Sequence, residues 1–271
     1  MHKLTTHSNY KKNLRLIVEL AKRDLKTRYA GSYGGMLWHI GVPLIYTLIN
    51  VIVFSMLMNG RMGTRYGNIP FVLFYLVPFS LWTFFAEVTG RSTNILRDYS
   101  YLINKIAFPF WILPLVPIAG AVLNQFIILI ASILLMRFFA INLGSHAYVY
   151  IFLWIICCMI TFGVSYAVSA LSLYIPDLTQ IVPITTNIIF WLTPILYSSA
   201  LVSENGPIWV RNIIMDFNPF FYIVEMSRDA VFGTASIHWI HLLGLSFISL
   251  LCLAGGITLF HKLKSGFADV V

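Results

Sequence analysis

Six stretches of the chain hold no Asp, Glu, Lys or Arg: Met36–Met58, Ile69–Ala86, Ile106–Met136, Ala147–Pro176, Leu178–Ser203 and Ile237–Phe260. A helix rises 1.5 Å per residue and needs about 18–20 apolar residues to cross ~30 Å of hydrocarbon. Each stretch reaches about that length. A surface helix of a water-soluble domain keeps a polar face, and these stretches are free of charge all round. The pattern predicts an all-α membrane protein with six transmembrane helices.

Between and before the stretches the period changes. Over residues 10–29, Leu14, Ile17, Val18, Ala21 and Leu25 recur at helical spacing, while Lys12, Arg15, Lys22, Arg23 and Lys26 fall on another face. This predicts a basic amphipathic helix at the headgroup boundary, ended by the turn Gly31-Ser-Tyr-Gly-Gly35. The loop Glu87–Lys105 mixes Ile95, Leu96, Tyr99, Leu102 and Ile103 with Arg97, Asp98 and Lys105, which predicts a short helix with an apolar face. Between the last two stretches, Pro207–Phe217 and Phe220–Phe232 are apolar but too short to span, with Pro219 between them. They predict re-entrant or interfacial helices. The first three stretches do not resemble the last three, which counts against an inverted-repeat transporter.

Composition agrees and adds orientation. Hydrophobic residues make up 59% of the 271, charged residues 10%, and the mean hydropathy is +0.82, which leaves no segment large enough for a folded soluble domain. The expected division is a cytoplasmic N-terminal segment over 1–35, a membrane domain over 36–260 and a cytoplasmic tail over 261–271. The first residues carry Lys3, Lys11, Lys12 and Arg15 with no apolar run behind them, so no signal peptide is expected. Of the 18 basic residues, eight precede Met36, three lie in Glu87–Lys105 and two follow Phe260; only Arg61, Arg65, Arg137, Arg211 and Arg228 fall on the other side. This bias places both termini in the cytoplasm. It also makes the net charge of +8 a matter of topology rather than nucleic-acid binding. Cys157, Cys158 and Cys252 all lie within expected spans and read as reduced, packed thiols.

Catalytic signatures are missing from the sequence. There is no GxxxxGK[ST] phosphate loop, no HExxH and no Cys/His set at metal spacing, so no cofactor or metal is expected. The polar residues within the spans are Asn50, Asn124, Gln125 and Asn187, with Glu87 and Asp177 at the cytoplasmic ends. Such amides bond neighbouring helices or line a passage; no carboxylate sits at mid-depth for a proton relay. Aromatic residues crowd the second and fifth stretches: Tyr75, Phe79 and Trp82 in one, Phe190, Trp191 and Tyr197 in the other. They form an interfacial belt and packing, or they line a channel in which sugar rings slide. A conduit fits this inventory better than a catalyst.

An ordered set of motifs then resembles one family. Leu20-Ala-Lys-Arg-Asp-Leu-Lys-Thr-Arg-Tyr29, Gly31-Ser-Tyr-Gly-Gly-Met-Leu-Trp38 and Pro43 come first, followed by Leu102-Ile-Asn-Lys-Ile-Ala-Phe-Pro109 and Leu113-Pro114. Asp177-Leu178 leads to Phe190-Trp-Leu-Thr-Pro-Ile-Leu-Tyr197, then Asn218-Pro219 with Glu225 and Arg228, and finally Phe260 and Phe267-Ala-Asp269. Together these resemble ABC-2-type polysaccharide export permeases, from about residue 10 to the C-terminus. The chain departs from that pattern at Pro176, where an Arg is frequent.

The resemblance implies a homodimer in the bacterial inner membrane, docked on two copies of a separate ABC ATPase that binds ATP and Mg²⁺. It makes the amphipathic N-terminal helix an interface helix. Ser92–Asn104 becomes a coupling helix whose ATPase contacts are Ile95, Leu96, Arg97, Tyr99 and Leu102. Pro207–Phe232 becomes an outer gate carrying Trp209, Asn218, Pro219, Glu225 and Arg228. The implied substrate is lipid-linked polysaccharide, with O-antigen ahead of teichoic acid and capsule. An exporter of small amphiphiles or drugs, which needs a compact pocket, and a membrane-embedded glycan-assembly enzyme, which needs clustered carboxylates for Mg²⁺, are the alternatives.

Overall fold

The computed structural model describes residues 2–28, 31–35, 37–57, 63–103 and 108–267, and no strand occurs among them. The chain begins with α1 (His2–Arg28) and α2 (Leu37–Leu57), and short α3 (Gly63–Tyr66) leads into α4 (Phe71–Ser92). The turns α5 (Ile95–Asp98) and α6 (Ser100–Ile103) follow, then a 3₁₀ segment, Phe110–Leu115, running into α7 (Val116–Phe138). Next come α8 (Val149–Tyr174), α9 (Leu178–Leu192), α10 (Ser199–Asn205) and α11 (Ile208–Arg211), which passes into a π turn, Asn212–Asp216. Finally α12 (Pro219–Phe232) precedes α13 (Trp239–Leu263).

Four helical segments are long and apolar enough to cross a bilayer: Phe71–Ser92, Phe110–Phe138, Val149–Tyr174 and Trp239–Gly266. They coincide with the second, third, fourth and sixth charge-free stretches. The first stretch forms α2, of which Gly41–Leu57 is counted among the shorter apolar helices. Its boundary residues Met36 and Met58, like Ile106 and Ala107 of the third stretch and Asn104 of the coupling segment, lie outside the described residues.

The fifth stretch is the main correction. It was expected as one helix over Leu178–Ser203, but α9 has 15 residues, about 22 Å at 1.5 Å each and short of the hydrocarbon thickness. The cause is Pro194, which drives the residue before it out of the helical region; Thr193 is extended, with φ −103° and ψ 131°. Phe190 packs on Phe79 and Trp82, so α9 stops partway along α4. The remaining half of that layer is built by 193–232. There Asn218 does two jobs. Its Nδ2 donates to Thr193 Oγ1 (2.8 Å), and its Oδ1 accepts the Phe220 N–H (3.0 Å), capping α12. Gly233, in the left-handed region at φ 67°, ends α12.

α4 is the central helix: 16 of its 22 residues are buried, with α7, α8 and α12 packed around it. Pro78 lies inside α4 and has no N–H for the carbonyl of Phe74 four residues earlier. That orphaned carbonyl accepts from Arg228 Nε at 3.0 Å. α8 and α13 meet most closely at Gly163 and Gly256. A Cβ on Gly256 would stand 1.9 Å from the Gly163 carbonyl oxygen, so the contact requires glycine. A second core, around Leu20, Ile95, Leu96, Tyr99, Leu113, Tyr166, Phe260 and Phe267, gathers α1, α5 and the C-terminal segment at one end of the molecule.

Candidate functional site

A cleft of about 600 Å³ opens between α2, α4 and α9, with α7 at its back. Each wall is one helical face. Val42, Pro43, Tyr46 and Asn50 come from α2; Phe79, Trp82, Thr83, Ala86, Glu87 and Gly90 from α4; Pro183, Thr186, Asn187 and Phe190 from α9. Steps of three and four residues set these side chains above one another. At the back, Asn124 Nδ2 donates to Glu87 Oε2 at 2.7 Å. Near α2, Asn50 Nδ2 donates to the Tyr75 hydroxyl at 3.2 Å.

Rings run through the wall as a ladder. Tyr75 stacks on Phe79 with centroids 4.5 Å apart, Phe190 lies 5.8 Å from Trp82, and Phe220 stands 5.1 Å from Trp82 and 4.6 Å from Phe85. Of the six candidate channel aromatics, Phe79, Trp82 and Phe190 line the cleft. Tyr75 is fully buried behind Phe79. Trp191 is exposed on another face of α9, and Tyr197 donates its hydroxyl to the Trp191 carbonyl at 3.1 Å. Asn50, Asn124 and Asn187 line the cleft, whereas the Gln125 amide oxygen accepts from Trp154 Nε1 at 2.6 Å between α7 and α8. No group of three His, Cys, Asp or Glu side chains converges among the described residues.

An ABC-2 type transporter family model matches residues 15–232. The chain belongs to the ABC-2 type transporter family. It is 27% identical over 258 residues to O-antigen export system permease protein RfbA of Klebsiella pneumoniae, covering 94% of this chain and 95% of the relative. Against RfbA of Myxococcus xanthus it is 25% identical over 262 residues, with the same coverage. Against polysialic acid transport protein KpsM of Escherichia coli it is 23% identical over 217 residues, 77% of this chain and 78% of that one.

In this ABC-2 chain the expected coupling residues divide into two sets. Ile95 is 0% exposed, Leu96 2% and Tyr99 5%. They pack on Leu20 and Ala21 of α1 and on Leu113 and Val116. The Tyr99 hydroxyl donates to the Leu20 carbonyl (3.3 Å), and burial pushes this phenol up to about 12, so it remains a donor at neutral pH. The apolar face that suggested docking is therefore covered by the chain itself. Asp98 and Tyr101 are exposed and Leu102 half-buried, while Arg97 donates to the Ser172 carbonyl. Arg23 lies over the Tyr101 ring at 5.5 Å.

The residues expected at the outer gate divide in the same way. Trp209 is exposed, beside exposed Ile208, Ile213 and Phe217. Glu225 and Arg228 are buried instead. Arg228 Nη1 donates to Glu225 Oε1 (3.0 Å) and Nη2 to the Ile195 carbonyl (2.8 Å), and its guanidinium carbon lies 3.5 Å from the Phe74 ring centroid. Arg65 pairs with Asp229, and the Tyr66 hydroxyl donates to Asp229 Oδ1 at 2.9 Å. Burial, with the Glu225 and Asp229 carboxylates alongside, holds the Tyr66 phenol far above its ordinary range. A buried charge is tolerated only when paired and hydrogen-bonded. This network makes α12 a fixed support, which the sequence did not disclose, because Arg65, Tyr66 and Phe74 are remote in the chain from Arg228 and Asp229.

Proposed function

We propose that this chain is the membrane subunit of an ATP-driven exporter of lipid-linked polysaccharide, O-antigen foremost, in the bacterial inner membrane. Two copies enclose a water-filled passage, and a separate ABC ATPase, two copies per dimer, binds and hydrolyses ATP. The observation that carries this reading is the open cleft. No α9 side chain is fully buried within the chain, and its exposed Asn187 stands in the cleft beside the hydrogen-bonded Glu87–Asn124 pair at membrane level. Lipid cannot hydrogen-bond the exposed Asn187 amide. A twofold copy bringing its own α2 and α9 opposite would enclose it with water. The names borne by the relatives agree with the substrate class.

The finer topology belongs to the same proposal. The chain crosses six times, α9 and 193–232 together making the fifth crossing, with N-terminus and C-terminus in the cytoplasm. The joint core of α1 and Phe267 supports an even number of crossings, and the split of basic residues supports that side as cytoplasmic. Ser92–Asn104 couples to the ATPase through exposed Asp98 and Tyr101 and half-buried Leu102. The 207–217 segment, with Ile208, Trp209 and Phe217 exposed, forms the moving outer cover, and α12 holds it. Pairwise cysteines at Asn187 of the two copies test the arrangement. Rapid disulfide formation in membranes is expected, and no cross-link at Asn187 or at Pro183 would rule out this dimer.

A further inference from the structure

We propose that the polymer carried along this cleft is an uncharged glycan. The proposal rests on the export reading above and deepens it to a substrate class. The stretches that provide three walls, Met36–Met58, Ile69–Ala86 and Leu178–Ser203, contain no Lys or Arg anywhere. Among the described wall residues the only charged side chain is Glu87, and its sign is negative. A polyanion between low-dielectric walls loses hydration along its whole length and needs fixed cations to offset that loss; anion pores supply them as rings of Arg or Lys. No Lys or Arg lines this cleft among the described residues.

What the wall offers suits neutral sugars. Exposed Trp38 and Tyr46 of α2 and half-buried Phe190 of α9 present apolar ring surfaces that take the C–H faces of pyranoses, while Phe79 and Trp82, 8% and 5% exposed, back the wall. Asn187 offers both donor and acceptor. The Thr83 and Thr186 hydroxyls, which donate to the Ser80 and Val182 carbonyls (3.1 and 2.8 Å), keep lone pairs that accept from sugar hydroxyls and offer nothing to an anion. Lys22, Arg23 and Lys26 on the exposed side of α1 lie outside this wall, where basic residues attract an anionic lipid headgroup. The carrier lipid's phosphate and the sugar chain are then recognised by different surfaces.

The test uses the full complex with its ATPase in nanodiscs. Two probes of matched length, dextran oligosaccharide and oligosialic acid, are titrated by calorimetry against the wild type, Asn187→Lys and Thr83→Lys. Co-purification with the ATPase serves as the check on folding. Dextran should bind the wild type at least about tenfold more tightly than oligosialic acid, and a lysine at either position should shift that ratio at least about tenfold toward the anion. Equal or tighter binding of oligosialic acid to the wild type overturns the inference, as does a ratio unmoved by both well-assembled lysine variants. If neither probe binds a complex that hydrolyses ATP, the export reading itself falls, and the two failures are told apart.

Discussion

The Arg91 guanidinium, in the last turn of α4, donates to Asp24 of α1 from Nε (3.2 Å) and from Nη2, and the same Nη2 reaches Asp98 of α5 at 2.7 Å. Asp24 is 2% exposed, so this is a largely buried ion pair. It ties the N-terminal helix, the cleft-lining helix and the α5 turn into one body. Under the proposed coupling, a push of the ATPase on α5 would be delivered straight to α4, whose cleft face carries Glu87, Trp82 and Phe79.

Arg91→Ala should slow export while leaving assembly with the ATPase largely intact. Removing one partner of a buried pair costs roughly 3–5 kcal/mol, and the partial exposure of Arg91 puts the expected loss at the low end. Arg91→Lys keeps one charge but not the fork. Export per ATP hydrolysed should fall roughly 5–150-fold in the Ala variant, the range of a coupling energy of 1–3 kcal/mol, and less in the Lys variant. An unchanged ratio in Arg91→Ala would remove the pin from the mechanism.

Tyr99→Ala and Tyr101→Ala should separate packing from docking. Tyr99 fills the core beneath α1, so its truncation should cost about 3–5 kcal/mol and lower the melting temperature of the purified chain. Tyr101 is exposed, so its loss should leave melting unchanged and weaken ATPase binding by roughly tenfold or more, as an aromatic hot spot does. The opposite pattern would return the docking face to Ile95, Leu96 and Tyr99.

The Pro78–Arg228 relationship can be tested as a pair. Arg228→Met strands the Phe74 carbonyl and the Glu225 carboxylate, and should prevent stable folding. Adding Pro78→Ala supplies the missing backbone N–H to Phe74 and should recover about 1–3 kcal/mol, the penalty of one unmade buried hydrogen bond. Yield of folded protein by size-exclusion chromatography reads the difference, and no recovery would mean that Arg228 acts through Glu225 and the Ile195 carbonyl and not through Phe74.

Where the fold could be read from the sequence, a single chain-local rule was enough. Charge-free length located α4, α7, α8 and α13, because the bilayer acts on each segment separately. The same rule failed at Pro194, since hydropathy weighs composition while the break depends on the backbone of Thr193. Period marked the apolar face of Ile95, Leu96 and Tyr99, but period cannot say what covers a face, and α1 does. Among the rings, Phe79 and Tyr75 are one turn apart and alike in composition. Only the position of α2 and α9 decides that one lines the cleft and the other backs it. Arg91 and Asp24 carried no local signal, being separated by 67 positions.

The central claim is ATP-driven passage of a lipid-linked glycan along the α2–α4–α9 cleft, and inverted membrane vesicles test it most directly. With the chain and its ATPase present, ATP should move lipid-linked polymer into the lumen, where an added glycosidase cannot reach it. Tyr46→Ala with Phe190→Ala should slow that protection at least about tenfold, with polymer left outside. Protection that proceeds without this chain or without ATP, or at an unchanged rate in the double variant, would contradict the account.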